Sequence, residues 1–231
     1  MSTIGGRGKF GVGRRVLPEI ITNGLKLYLD AGKTTSYSGA GTTWYDISGN
    51  GNNGTLTGGV TYDSGNSGSL LFNGSTGYIS RANFIGNVTA FTVCHWINLS
   101  SNQTTKTIFS NYVAGVNWVT GISDAATNVI KFYLGGGTLY ATYPLVINTW
   151  YHVCVTYNNG NPSIYINGIL NNTTTGTITF AGSLASNNDI GRLGDGRQYF
   201  NGKISNIQVY NRALSATEIT QNYNAFKRRY I

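Results

Sequence analysis

The sequence predicts an all-β fold, a sandwich or barrel of short strands closed by one short C-terminal helix. Three observations predict it. The chain has 32 Gly but 3 Pro, only 10% charged residues and abundant Ser, Thr and Asn, a tone that favours strands joined by many turns. More than ten short apolar or alternating segments follow one another between turn residues. In the last thirty residues the apolar period changes from two to that of a helix.

Residues 1–19, MSTIGGRGKFGVGRRVLPE, read as an extended basic arm, too poor in apolar side chains to offset the entropy of ordering it alone. Residues 20–231 read as one domain, since no linker divides them. The first strand is expected at 24–30, with Leu25, Leu27 and Leu29 on one face. Strands follow near 70–72, 78–79, 91–99, 106–111, 116–122, 129–134, 139–143, 150–157, 162–166, 176–181 and 189–193. Asn167-Gly168 closes a hairpin after the strand at 162–166, because both residues tolerate positive φ.

The stretch 200–219, FNGKISNIQVYNRALSATEI, holds the most specific local signals. Asn201-Gly202 reads as a turn, and Ile204, Ile207 and Val209 mark a last strand. Ser215-Ala-Thr-Glu218 is a capping box, with Leu214 and Ile219 placed to form a hydrophobic staple. Ile219, Tyr223 and Phe226 then recur at helical spacing.

The net charge of +8 belongs to the ends. Arg7, Lys9, Arg14 and Arg15 lie at the N-terminus and Lys227, Arg228 and Arg229 at the C-terminus, leaving nine basic against eight acidic residues between. Cys94 and Cys154 sit inside apolar strand runs and read as two buried free thiols; a disulfide would need an oxidising compartment and suitable geometry. The N-terminus has no apolar core of a secretory signal, and no apolar run has the length of a membrane span. The chain is therefore expected to fold in the cytoplasm where it is made.

Several motifs resemble one family in order and spacing, over about 24–225. They are Asp46-Ile-Ser-Gly-Asn-Gly-Asn-Asn-Gly54, Leu71-Phe-Asn-Gly74 with Tyr78-Ile79, Phe91-Thr-Val-Cys-His-Trp96, Trp150-Tyr-His-Val-Cys-Val-Thr-Tyr157, Ile164-Tyr-Ile-Asn-Gly168, Phe200-Asn-Gly-Lys-Ile204, Val209-Tyr-Asn-Arg-Ala-Leu-Ser215 and Glu218-Ile219. The chain resembles the laminin-G-like jelly rolls of the concanavalin A-like lectin/glucanase superfamily. The resemblance implies a jelly-roll β-sandwich of two curved antiparallel sheets, with Trp96 and Trp150 in the core and His152 in a structural role. Stand-alone versions with a short basic arm and no signal peptide resemble structural proteins of tailed bacteriophages.

Catalysis is poorly served by this sequence. A glycosidase needs two carboxylates across the sugar bond, and catalytic relatives carry Glu-x-Asp-x-x-Glu or a close variant, which the eight acidic residues here do not compose. His95 and His152 are the only histidines, and nothing beside them activates a nucleophile. Cys94 and His95 are strand neighbours on opposite faces, so no single zinc site takes both cysteines and both histidines. Calcium is the metal left open: Asp46, Ser48 and Asn50, with Asn52, offer oxygens at loop spacing, although with one carboxylate and no bidentate Glu. A turn stitched by Asx hydrogen bonds is the competing reading. Asn73 and Gly77 stand where relatives often carry Asp. Tyr112, Tyr140, Tyr143 and Tyr199 are candidates for stacking on sugars.

The expectation is a non-enzymatic structural protein of a tailed-phage virion, a capsid decoration or a tail or fibre component, with no cofactor beyond the open calcium. Its arm residues Arg7, Lys9, Arg14 and Arg15 would dock on other virion proteins, in a homo-oligomeric assembly, and its outer loops would touch host-surface glycans. No specific nucleic acid and no membrane insertion are expected. The alternative is a stand-alone carbohydrate-binding, lectin-like module.

Overall fold

A computed structural model of the protein describes residues 18–85, 89–113, 116–123, 126–135, 137–174 and 187–231. The arm residues Arg7, Lys9, Arg14 and Arg15, and the strand expected at 176–181, lie outside the described residues.

Among the described residues, sixteen strands alternate with turns: β1 Leu25–Asp30, β2 Thr43–Trp44, β3 Gly54–Thr57, β4 Thr61–Asp63, β5 Ser69–Asn73, β6 Tyr78–Ala82, β7 Ala90–Leu99 and β8 Lys106–Val113 come first. Then follow β9 Val116–Ile122, β10 Val129–Leu134, β11 Gly137–Pro144, β12 Trp150–Asn158, β13 Asn161–Ile166, β14 Ile169–Thr173, β15 Asn187–Ile190 and β16 Asn201–Tyr210, before helix α1 Ala216–Phe226. All pairings are antiparallel, and they make two sheets. The first runs β14-β13-β12-β7-β16-β5-β4, with β1 also on β16; the second runs β11-β10-β9-β8-β15-β6-β3-β2.

The main core lies between the sheets. Phe91, Val93, Ile97 and Leu99 of β7 and Val153 and Val155 of β12 face Phe109, Trp118, Ile122, Ile130 and Phe132 from the second sheet. The opposite face of the first sheet is buried as well. Helix α1 and the segment leading into β1 cover it, in two further clusters built around Cys94, Cys154, Tyr210, Leu214 and Ile219 and around Tyr28, Trp96, Trp150 and Phe226. This double burial is why β7 and β12 read as nearly unbroken apolar runs instead of alternating ones.

Trp96 and Trp150 are thus buried in the outer layer under α1, while Trp44 and Trp118 hold the core between the sheets. Leu25 leaves the face of Leu27 and Leu29: a register shift between Leu25 and Leu27 turns it to the helix side. Asn201-Gly202 is no turn. These residues are the first two of β16, Asn201 opposite Asn73, and glycine is required because a Cβ at Gly202 would stand 2.3 Å from the Asn98 carbonyl oxygen. Asn167-Gly168 does close the β13–β14 hairpin, with φ of 53° and 80°. The capping box is present in full: Glu218 N–H donates to Ser215 Oγ, and Ser215 N–H to Glu218 Oε2 at 2.8 Å.

The basic C-terminus is not a free tail. Lys227–Arg229 form a 3-10 turn, and the Arg229 guanidinium donates to both oxygens of the fully buried Asp30, at 2.8 and 3.0 Å.

Candidate functional site

Where β16 begins, four segments meet around a polar cavity of about 560 Å³, lined by Asn73, Gly74, Ser101–Thr104, Lys106, Thr127 and Asn201. The side chains beneath it lock one another. Gln103, almost fully buried, donates through Nε2 to the Asn201 carbonyl (2.9 Å) and accepts the Asn201 N–H at Oε1 (3.2 Å). Asn128 accepts the Gln103 N–H and donates through Nδ2 to Asn102 Oδ1, both at 2.9 Å. Asn201 Nδ2 reaches Ser101 Oγ at 2.9 Å.

Asn73 forms the fourth wall. Its Oδ1 accepts from the N–H groups of Ser75, Thr76 and Gly77, and its Nδ2 donates to the Gly58 carbonyl and Thr76 Oγ1. An Asp here could make the first set and not the second, which explains an amide at this position. Among the described residues the cavity therefore presents amides, hydroxyls and the cation of Lys106, and no described carboxylate lines it. Such a surface suits hydroxyl-rich ligands that both donate and accept.

The loop of Asp46, Ser48 and Asn50 is elsewhere, at the far end of β1. Asp46 Oδ1 accepts from the Tyr28 and Ser48 N–H groups, each at 2.9 Å, and Oδ2 accepts from Asn52 N–H (2.8 Å) and Ser48 Oγ (2.9 Å). Asn50 and Asn52 turn their Nδ2 groups onto the carbonyls of Leu25 and Lys26. With its only carboxylate spent on amide and hydroxyl donors, this set does not fit a calcium ion. It straps the start of β1 instead.

None of the four tyrosines singled out in the sequence lines the cavity. Tyr143 is exposed, and Tyr112 pairs with Tyr133 at 6.4 Å on the second sheet. The cavity residues Gln103, Asn128 and Asn201 gave no sequence signal beyond a polar, turn-like tone, because their union spans about a hundred residues of chain.

The histidines face opposite sides. His95 points between the sheets, its Nε2 3.2 Å from Thr120 Oγ1, while His152 lies on the helix side beside the stacked rings of Trp96 and Tyr223. Burial pushes both down to about 3. Cys94 and Cys154 stand directly opposite each other on β7 and β12 and are joined in a disulfide, in place of the two free thiols expected. Sequence could not reveal this, since only the register of two strands 60 residues apart brings the sulfurs together.

Of the described carboxylates, all but Glu19 are engaged: Asp30 by Arg229, Asp46 by its turn, Asp63 by Lys203, Asp189 by Arg192, Asp195 by Arg197 and Glu218 by Arg212. The Arg212 guanidinium, with help from the cap, holds Glu218 down to about 2.

The fold is shared with solved structures. The receptor-binding domain of a botulinum neurotoxin C/D mosaic serotype is 19% identical, with a TM-score of 0.70 over 88% of this chain and 51% of that one. A structure of botulinum neurotoxin type C, whose cell entry is described as dependent upon interaction with two ganglioside molecules, is 21% identical, with a TM-score of 0.69 over 89% of this chain and 52% of the other. The binding domain of neurotoxin DC, in complex with rat synaptotagmin II, is 19% identical at a TM-score of 0.69, over 89% of this chain and 52% of that one. The chain thus spans about half the length of these structures. In sequence, no curated protein matches it. Residues 73–220 match Laminin_G_3, and on that match the chain belongs to the concanavalin A-like lectin/glucanases superfamily.

Proposed function

We propose that the protein is a non-catalytic, lectin-like adhesion module that takes a hydroxyl-rich glycan into the amide-lined cavity. The observation that carries this is the cavity itself: about 560 Å³, within the range of small-ligand sites, with its amide groups held in place before any ligand arrives. Ligand hydroxyls meet preorganised donors and acceptors there, so little ordering cost is left for binding. The ganglioside named for one structural neighbour supports the same class of ligand, though only half of that neighbour is shared. The engagement of the described carboxylates other than Glu19 supports a non-catalytic reading, because a glycosidase must keep two of them free at the sugar bond.

A glycan array probed with the full chain tests the reading. Binding that weakens at least tenfold in Asn102→Ala and Lys106→Ala, with the melting temperature unchanged, is the expected result; silence across the array overturns it. Incubation with any bound oligosaccharide should release no products.

The module is carried, in this proposal, on a tailed-phage virion, with the basic arm docked on an acidic surface of neighbouring virion proteins and with several copies in one assembly. The geometry supports such a tether. Leu25 pairs with Tyr210 and Asn201 with Asn73, so β1 starts at the opposite end of β16 to the cavity, with Glu19 and Ile21 held against α1 by Gln221 and Asn222. Ten residues of strand, roughly 30 Å, separate the start of β1 from the cavity. Deletion of residues 1–15 should abolish incorporation into particles while the jelly roll still folds; unchanged incorporation would sink the anchor.

A further inference from the structure

Beneath helix α1 lies a cluster that the adhesive reading does not use. Cys94 Sγ, Cys154 Sγ and a ring nitrogen of His152 all fall within 4.8 Å of one another, and all three residues are buried. His152 Nε2 is 3.5 Å from Cys154 Sγ. Its other ring nitrogen, Nδ1, is fully buried and has no hydrogen-bond partner among the described residues. An imidazole placed against two sulfurs, with nothing else to satisfy it, is an unusual arrangement for a core histidine.

We propose that, once its disulfide is reduced, the protein binds one monovalent copper ion between Cys94 Sγ, Cys154 Sγ and His152 Nε2. The first step is reduction by a dithiol: the S–S bond breaks, two electrons and two protons arrive, and the reductant leaves as its own disulfide. In the second step Cu(I) replaces both thiol protons, which go to solvent, and takes the lone pair of the neutral imidazole.

Three features select this ion. Thiolate ligands favour soft metals. The donors number three, and no described carboxylate joins them. Zinc in a closed site wants four protein ligands, and in an open one a water, but Trp96, Cys94, Cys154 and His152 are all 0% exposed. A low-coordinate d10 ion needs neither. The ion and two thiolates leave one negative charge. The roof answers it: the Tyr223 ring lies 5.9 Å from His152, with the Lys227 ammonium 5.6 Å above that ring. His95 takes no part, since it projects from the other face of β7 onto Thr120.

The oxidised protein is its own control, having the same fold with both sulfurs blocked. The full chain, oxidised or reduced with a dithiol, is titrated with Cu(I) in competition with bathocuproine disulfonate, and near-UV circular dichroism follows the Trp96 stack. The expected result is withdrawal of one copper per reduced chain and none per oxidised chain, with the dichroism kept. His152→Phe should weaken the reduced site at least about tenfold. Equal copper uptake by both redox forms, no uptake by the folded reduced chain, loss of the dichroism on reduction, or a preference for Zn(II) over Cu(I) would each overturn the proposal.

Discussion

The two faces of the first sheet are buried to the same degree and are built from different materials. Toward the second sheet, β7 and β12 present Phe91, Val93, Ile97, Leu99, Val153 and Val155, with His95 as the polar exception. Toward the helix, the same sheet presents Tyr28, Asp30, Ser205, Asn206, Gln208 and Tyr210, all buried. The Tyr230 hydroxyl donates to Ser205 Oγ at 2.7 Å, Arg229 reaches Asp30, and Asn222 Nδ2 donates to the Tyr210 hydroxyl at 3.0 Å. One face is stabilised by apolar area, which any well-shaped hydrophobe supplies. The other depends on partners that must all be present, since a buried charge or hydroxyl left alone is costly.

The largest effects come from deleting one member of each face. Phe91→Ala should cost about 3–5 kcal/mol in urea unfolding, as large-to-small changes in a packed core do. Arg229→Ala leaves Asp30 buried without its cation, and should also cost about 3–5 kcal/mol. If the helix side were merely a lid, Arg229→Ala would fall below 1 kcal/mol. Joint replacement of Asp30 and Arg229 by Leu and Met should recover most of the loss, which no repair of the Phe91 site by a polar pair can imitate.

Acidification weighs the two histidines. Each has its folded value near 3, below the ordinary 6.5, so the unfolded chain takes up the proton first. Stability is therefore complete above about pH 6.5 and is lost as pH falls toward 3. Between pH 7 and pH 5 the loss should be about 2 kcal/mol per histidine. His95→Gln and His152→Gln should each remove half of that slope. If only one does, the faces differ in how water reaches them. Glu218 adds a later step: its stabilisation is present above the usual carboxylate range and disappears as pH falls through about 2.

Smaller effects mark the periphery. Ser215→Ala removes the cap of α1 and should cost about 1 kcal/mol, measured by chemical denaturation. EDTA should leave the melting temperature where it is, because Asp46 already spends its oxygens on amides and a hydroxyl. A fall of several degrees would restore calcium to that loop.

The same contrast explains what could be read from the sequence. The inner face follows a period of two, and the strands β7 to β13 were legible to within two residues at their ends. The capping box of α1 was legible too, as a local pattern of four residues. The outer layer was not: Asp30 and Arg229 are joined across nearly the whole chain, and Arg229 looked like one more charge in a basic tail. The cavity failed for a related reason. Gln103, Asn128 and Asn201 are ordinary turn formers until the ends of several strands bring them together. Asn201-Gly202 misled outright, since the glycine answers to the Asn98 carbonyl and not to a turn.

The pairing of β1 with β16 has a mechanical meaning. A tether at the N-terminus and a ligand in the cavity would pull β1 along its own axis, away from the end where β16 starts. The ladder from Leu25 to Asp30 is then loaded in shear, all its hydrogen bonds sharing the tension at once, and Asp30, the last residue of that strand, is riveted to Arg229. Force applied in the opposite sense, from the C-terminus, meets the Tyr230 ring stacked on Trp96 first, and that rivet next, before any strand slides.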